Sequence, residues 1–210
     1  DLQLSALFAL VAPAFAAERA RLRPPPNMPA REYDTPDATA RVIVRVVRAF
    51  GIPRPPIYFD RDQAVGSKVV LRVRTGELVP VLSLGPTLPT EPVELAFNLA
   101  RQLADLRTDR IARLLCPRPP ELAQIVELAT SLASGDAGSH AARWSTSALH
   151  PVELDSARML GKRLVERGIN PMTAALHWLA TSERAADRIG FVVAGDLATC
   201  VRTLAADPAV

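Results

Sequence analysis

Between residues 57 and 84 the spacing of apolar side chains switches from the rhythm of a helix to the alternation of a strand. That switch constrains the fold more than any other feature of the sequence. Ile57-Tyr58-Phe59 follows two prolines and reads as a short strand, Val69 to Arg74 alternates apolar with basic, and Leu78 to Leu84 is apolar again. Thr75-Gly76-Glu77 supplies a hairpin turn. Pro80 has no N–H to offer a ladder, so the third run is expected either to lie at a sheet edge or to begin late.

Both flanks are helical in pattern. Leu2 to Leu22 reads as one helix, stopped by Pro24-Pro25-Pro26, and Asp34-Thr35-Pro36 opens a second that reaches Phe50 and closes at Gly51. In the second helix Val42, Val44, Val47 and Phe50 form the apolar side, with Arg41, Arg45 and Arg48 opposite them. Thr90 caps a third helix with Glu91 and Pro92 in its first turn and a stripe of Leu95, Leu99, Leu103 and Leu106. Pro119-Pro120 opens another, Ser134 to Ser139 is a surface loop, and further helices fall near Pro151–Arg167, Pro171–Ala180, Ser182–Val193 and Asp196–Ala205. A small sheet between helical halves makes the fold class α+β, mainly helical.

With 210 residues, 49% of them hydrophobic, the chain can bury a sizeable core, and no Gly/Ser linker or charge block divides it. The expected organisation is a single domain over 1–210, with 1–33 as N-terminal helix and proline-rich connector and 34–210 as the core. Asp1 where an initiator methionine would stand reads as a piece cut from a longer chain. The apolar opening, Leu4 to Ala17, superficially resembles a secretion signal but has no basic segment before it. Its apolar run is about 14 residues and contains Pro13, against the ~20 a bilayer requires, so a buried helix rather than a membrane span is expected.

Charge excludes more than it suggests. Of 25 basic residues only Lys68 and Lys162 are lysine, yet the net charge is +3, because arginines and acids interleave, as in Glu18-Arg19-Ala20-Arg21 and Asp105 to Arg110. That pattern describes solvated helix faces, not a phosphate-binding stripe, so no nucleic-acid partner is expected. Cys116 and Cys200 lie far apart and form neither a redox pair nor a zinc cluster, which leaves them as small core residues and fits a cytoplasmic setting. His140, His150 and His177 share no ligand spacing. Walker, dinucleotide-binding, nucleophile-elbow and HExxH motifs are all absent.

Element order carries more than any single residue. Two helices, a short strand, a hairpin, an apolar helix and a distant helix with Glu183-Arg184-Ala185-Ala186-Asp187 together resemble the HtpX-like family of gluzincin metallopeptidases. The resemblance implies a zincin-like fold. The apolar helix would carry HExxH and the later helix ExxAD, whose glutamate is the family's third zinc ligand. Here Glu183 and Asp187 match both acids of ExxAD, whereas Arg101 stands at the first histidine, Gln102 at the catalytic glutamate and Asp105 at the second histidine. A guanidinium stays protonated and repels a dication, and an amide is no general base near neutral pH.

The implied protein is therefore a degenerate domain of the kind attached to helical-repeat bacterial proteins. It would have no catalytic residue, metal or cofactor, and would serve as a scaffold or protein-interaction module with a protein or peptide partner and no membrane. An extended peptide would lie beside the edge at Leu78–Leu84 over the helix of Arg101. Asp105, Glu183 and Asp187 are expected to converge, with the Arg101 guanidinium within about 4 Å of Glu183 or Asp187 in place of the metal. Two alternatives remain: a divergent hydrolase using Asp105, Glu183 and Asp187 without a histidine-bound zinc, and a purely structural spacer.

Overall fold

The computed structural model describes residues 2–63, 66–135 and 149–206. His140 and the loop residues 136–139 lie outside them. The described elements, in chain order, are α1 (Leu2–Leu22), α2 (Asp37–Phe50), β1 (Ile57–Phe59), β2 (Ser67–Arg74), β3 (Glu77–Leu84) and α3 (Pro92–Leu103). A 3-10 turn (Ala104–Leu106) follows, then α4 (Ile111–Leu115), α5 (Pro119–Ser134), α6 (Pro151–Glu166), α7 (Pro171–Ala194) and α8 (Leu197–Ala205). The structure is mainly helical with one small sheet, an α+β arrangement.

The chain separates into two compact units, each assembled from two stretches: 1–24 with 108–182, and 25–107 with 183–210. This grouping differs from the division at residue 33 expected from the sequence. The reason is packing, because α1 lies against α4, α5 and α6 within the first unit.

In the first unit Leu4, Leu7, Phe8, Val11, Ala12, Phe15 and Ala16 of α1 are buried. Their spacing of three and one keeps them on one face, while Pro13 is exposed. By length and composition α1 is apolar enough to cross a membrane. Phe8 meets Trp178 edge-on at 4.9 Å between ring centroids, and the Trp178 Nε1–H donates to Ser5 Oγ at 2.9 Å. α5 and α6 approach closely at Gly161, where an added Cβ would fall 1.9 Å from the Ala129 carbonyl oxygen.

At the start of α5 the nearly buried Glu121 gathers two arginines. Its Oε1 accepts from Arg19 Nη1 at 2.8 Å and from Arg118 Nη2 at 2.7 Å, and its Oε2 accepts from the Arg118 backbone N–H at 3.1 Å. Arg19 also donates to the Leu115 carbonyl. Neighbouring Cys116 is buried, and that burial, reinforced by Glu121 and opposed by Arg19, pushes its thiol up to about 12.

In the second unit the strand order is β1-β3-β2. β3 pairs antiparallel with β2 from Arg74↔Glu77 to Ser67↔Leu84, and parallel with β1 from Ile57↔Leu82 to Phe59↔Leu84. Leu78–Leu84 is therefore the central strand and not an edge. Pro80 is tolerated because β1 reaches only residues 82–84, so no ladder on that side needs its N–H. Thr75 and Gly76 have φ of 50° and 86°, the two positive values of a type I′ turn. Outside β2, residues 26–28 add a short bridge through Val73.

α2 and α3 pack together, and α3 also meets β2 and α8. α2 buries Ile43, Val46 and Val47 and leaves Arg41, Arg45 and Arg48 exposed. Its N-cap is Pro36 without a side-chain bond, and Gly51 closes it in the left-handed conformation at φ 62°.

Candidate functional site

The two runs that carry chemistry in the sequence lie on α3 and on the second half of α7, both in the second unit. α3 begins one residue later than Thr90 would place it. Glu91 is the N-cap, its carboxylate accepting from the Glu94 N–H at 2.7 Å, with Pro92 in the first turn. The leucine stripe Leu95, Leu99 and Leu103 is buried together with Phe97 and two alanines. α-Helical bonding then stops. Asp105 sits on the succeeding 3-10 turn, so it does not share a continuous α-helix with Arg101 as the sequence led one to expect.

α7 is one helix of 24 residues, where the sequence reads as two. Ala180-Thr181-Ser182 contains neither Gly nor Pro, so nothing interrupts the backbone ladder. Near its C-terminal end α7 crosses α3 at Gly190. A Cβ there would come within 2.7 Å of the Phe97 ring and 3.2 Å of Arg101 Cγ, so only glycine allows the approach without a shift. Phe191 stacks on Phe97 with centroids 5.3 Å apart, and Cys200 and Ala194 complete the packing. At the start of α8, Asp196 accepts from the Thr199 N–H at 3.1 Å, and that bond holds its carboxyl below the usual range.

One turn before Gly190, Asp187 faces Arg101. Arg101 Nε lies 2.7 Å from Asp187 Oδ1, with both side chains mostly covered at 16% and 22% exposure. The contact is a close ion pair whose N–H direction falls off the hydrogen-bond axis, since Oδ1 accepts no aligned bond. The guanidinium carbon also stands 5.5 Å from the Phe97 ring centre, a cation–π contact.

Of the five residues singled out in the sequence, Arg101 and Asp187 meet. Gln102 is half-buried on α3, Asp105 half-buried on the turn, and Glu183 exposed one helical turn before Asp187. No three His, Cys, Asp or Glu side chains group as a metal site requires among the described residues. His177 is exposed on α7, and His150 caps α6, its Nδ1 accepting from the Val152 N–H. The arrangement at the crossing fixes a cation between an aromatic ring and a carboxylate, which serves holding rather than proton transfer.

Removing the guanidinium measures how much that holding contributes. Arg101→Ala is expected to destabilise by about 1–3 kcal/mol, between the values for exposed and buried pairs. Urea unfolding would read it as a lower midpoint at unchanged slope. A midpoint indistinguishable from wild type would show the pair to be solvated.

Sequence reasoning missed the Arg19–Glu121–Arg118 cluster. Its only signal was Glu121 three residues after Arg118 at a helix start, a reciprocal-capping spacing. Compared with known proteins, the chain finds no counterpart: no family model matches it, and neither does any curated protein or solved structure.

Proposed function

We propose that this chain is a degenerate metallopeptidase-like domain of zincin-like fold, without peptidase activity, that acts as a protein-interaction scaffold. The observation that carries the reading is the crossing of α3 and α7. The helix expected to hold HExxH meets the helix bearing the ExxAD run, and an arginine pairs with an acid of that run across the crossing. The donor set there does not fit a catalytic zinc, which needs three lone-pair ligands. Arg101 offers none, and Asp187 is engaged by it.

β3 is central, so a bound peptide would have to use another part of the sheet than the edge first envisaged. The free, buried thiols of Cys116 and Cys200 are compatible with a reducing, cytoplasmic compartment.

Restoring the motif tests the family reading. The triple variant Arg101→His, Gln102→Glu and Asp105→His is expected to gain zinc affinity measurable by calorimetry, with Glu183 as third ligand. A folded triple variant that binds zinc no better than wild type would overturn the assignment. The scaffold role is read separately, by comparing the proteins retained by this chain and by an unrelated immobilised protein. Identical partner sets would count against it.

A further inference from the structure

α2 carries three exposed arginines, Arg41, Arg45 and Arg48, at a spacing of four and three residues, which places them along one face. Like charges one turn apart repel, and among the described residues neither Arg41 nor Arg48 has a carboxylate partner. Arg45 donates from Nη2 to the Val193 carbonyl at 3.2 Å, which anchors it while its remaining N–H groups stay available. Beside this face runs a cleft of about 520 Å³. Val42, Leu88, Pro89 and Leu95 wall it, Arg41 and Arg45 form its rim, and no acid lines it.

An apolar trough with a cationic rim matches one kind of occupant. The rise from Arg41 to Arg45 is about 6 Å along the helix axis. Residues i and i+2 of an extended peptide, which project to the same side, are about 6.6 Å apart. Carboxylates at alternate positions would therefore meet Arg41 and Arg45 in turn, while the side chains between them point the other way, toward the trough. A single-stranded nucleic acid would want aromatic surfaces for its bases, and none lines the cleft. A membrane surface would not enter a concave trough.

We propose that the α2 face and its cleft bind an extended acidic peptide with carboxylates at alternate positions and apolar or proline residues between them. The inference stands apart from the metallopeptidase reading, because it uses no residue of the α3–α7 crossing and would survive that reading's failure.

The test uses the whole chain and a fluorescein-labelled peptide of repeating Glu-Leu-Glu-Pro, read by fluorescence anisotropy. The same peptide with Gln in place of Glu, an oligo-dT of equal charge and phosphatidylserine vesicles are the comparisons. Saturable binding of the Glu peptide is expected, weakening as salt rises, with the Gln peptide at least about tenfold weaker, as the loss of charge-assisted bonds predicts. Arg41→Gln with Arg45→Gln should weaken the Glu peptide by about tenfold, and Leu88→Ser should weaken it without changing the salt dependence. Both sets of positions are solvent-accessible, and circular dichroism checks that each variant is folded. No saturable binding of the Glu peptide up to millimolar concentration, equal binding of the Glu and Gln peptides, or undiminished binding by both variants would overturn the proposal. So would tighter binding of oligo-dT or of the vesicles.

Discussion

Gly161→Ala is expected to destabilise the first unit by about 3 kcal/mol, the upper end of the usual overpacking range. The added methyl would lie 1.9 Å from the Ala129 carbonyl oxygen and 2.4 Å from its carbon. The obstacle is backbone and cannot rotate aside, so α5 and α6 must separate and open the contacts around them. For a chain of this length the fall in melting temperature should be roughly 6–12 °C. Gly168→Ala is a useful comparison, because Gly168 has nothing within 4 Å of the added carbon and only its φ of 60° to strain. Thermal unfolding followed by circular dichroism separates the two. A Gly161→Ala protein as stable as wild type would mean that α5 and α6 do not touch at this point.

Glu121→Ala should be comparably damaging, at about 3 kcal/mol, because it strips the partner from Arg19 within the packed first unit. Glu121→Gln isolates the charge. Burial alone would raise the Glu121 carboxyl, but the hydrogen bonds from Arg118 and Arg19 outweigh it and hold the group below its usual range. A carboxyl depressed in the folded state contributes stability that is present above the unfolded value of about 4.3 and lost as pH falls through the lower folded value. Wild type should thus lose stability on acidification in that window, and Glu121→Gln should lose less. Parallel acid limbs for the two proteins would show that Arg19 and Arg118 do not hold the carboxylate. Each result is available from urea midpoints collected across pH.

Which parts of this fold could be read in the sequence depended on whether the deciding interaction was local. The type I′ turn at Thr75-Gly76, the stop at Gly51 and the prolines that open α3, α5 and α6 are local devices, and each sits where its residues placed it or within one position. That α1 is a buried helix was legible from its apolar run, although which residues form the buried face was not. The order of the sheet was not, and Pro80 was the misleading residue. Val81, Leu82, Ser83 and Leu84 are four consecutive buried positions, the mark of a strand covered on both faces, and that run should have outweighed a proline lying beyond the reach of β1.

The end of α3 at Leu103 was equally hidden, because Ala104-Asp105-Leu106 contains no helix breaker. At the candidate site, the meeting of Arg101 with Asp187 was anticipated from element order. The third and fourth partners were not, because Gly190 and Phe97 reveal their roles only where two helices cross. Arg19 was read as surface decoration since its partner lies 102 residues away, beyond any local pattern.

That separation has a consequence for how the chain is made. α1 has its charged and apolar partners in α4, α5 and α6, and the Trp178 that covers Phe8 comes later still, 173 residues after the Ser5 it bonds. At ribosomal speeds of about 5–20 residues per second, an apolar stripe of seven buried side chains leaves the ribosome roughly 5–20 s before α5 exists to receive it. During that interval the second unit's strands and helices 25–107 are synthesised in between. For those seconds α1 is an unshielded hydrophobic helix in a growing polypeptide, the state that nascent-chain chaperones bind, and the first unit can close only after the chain has returned to it.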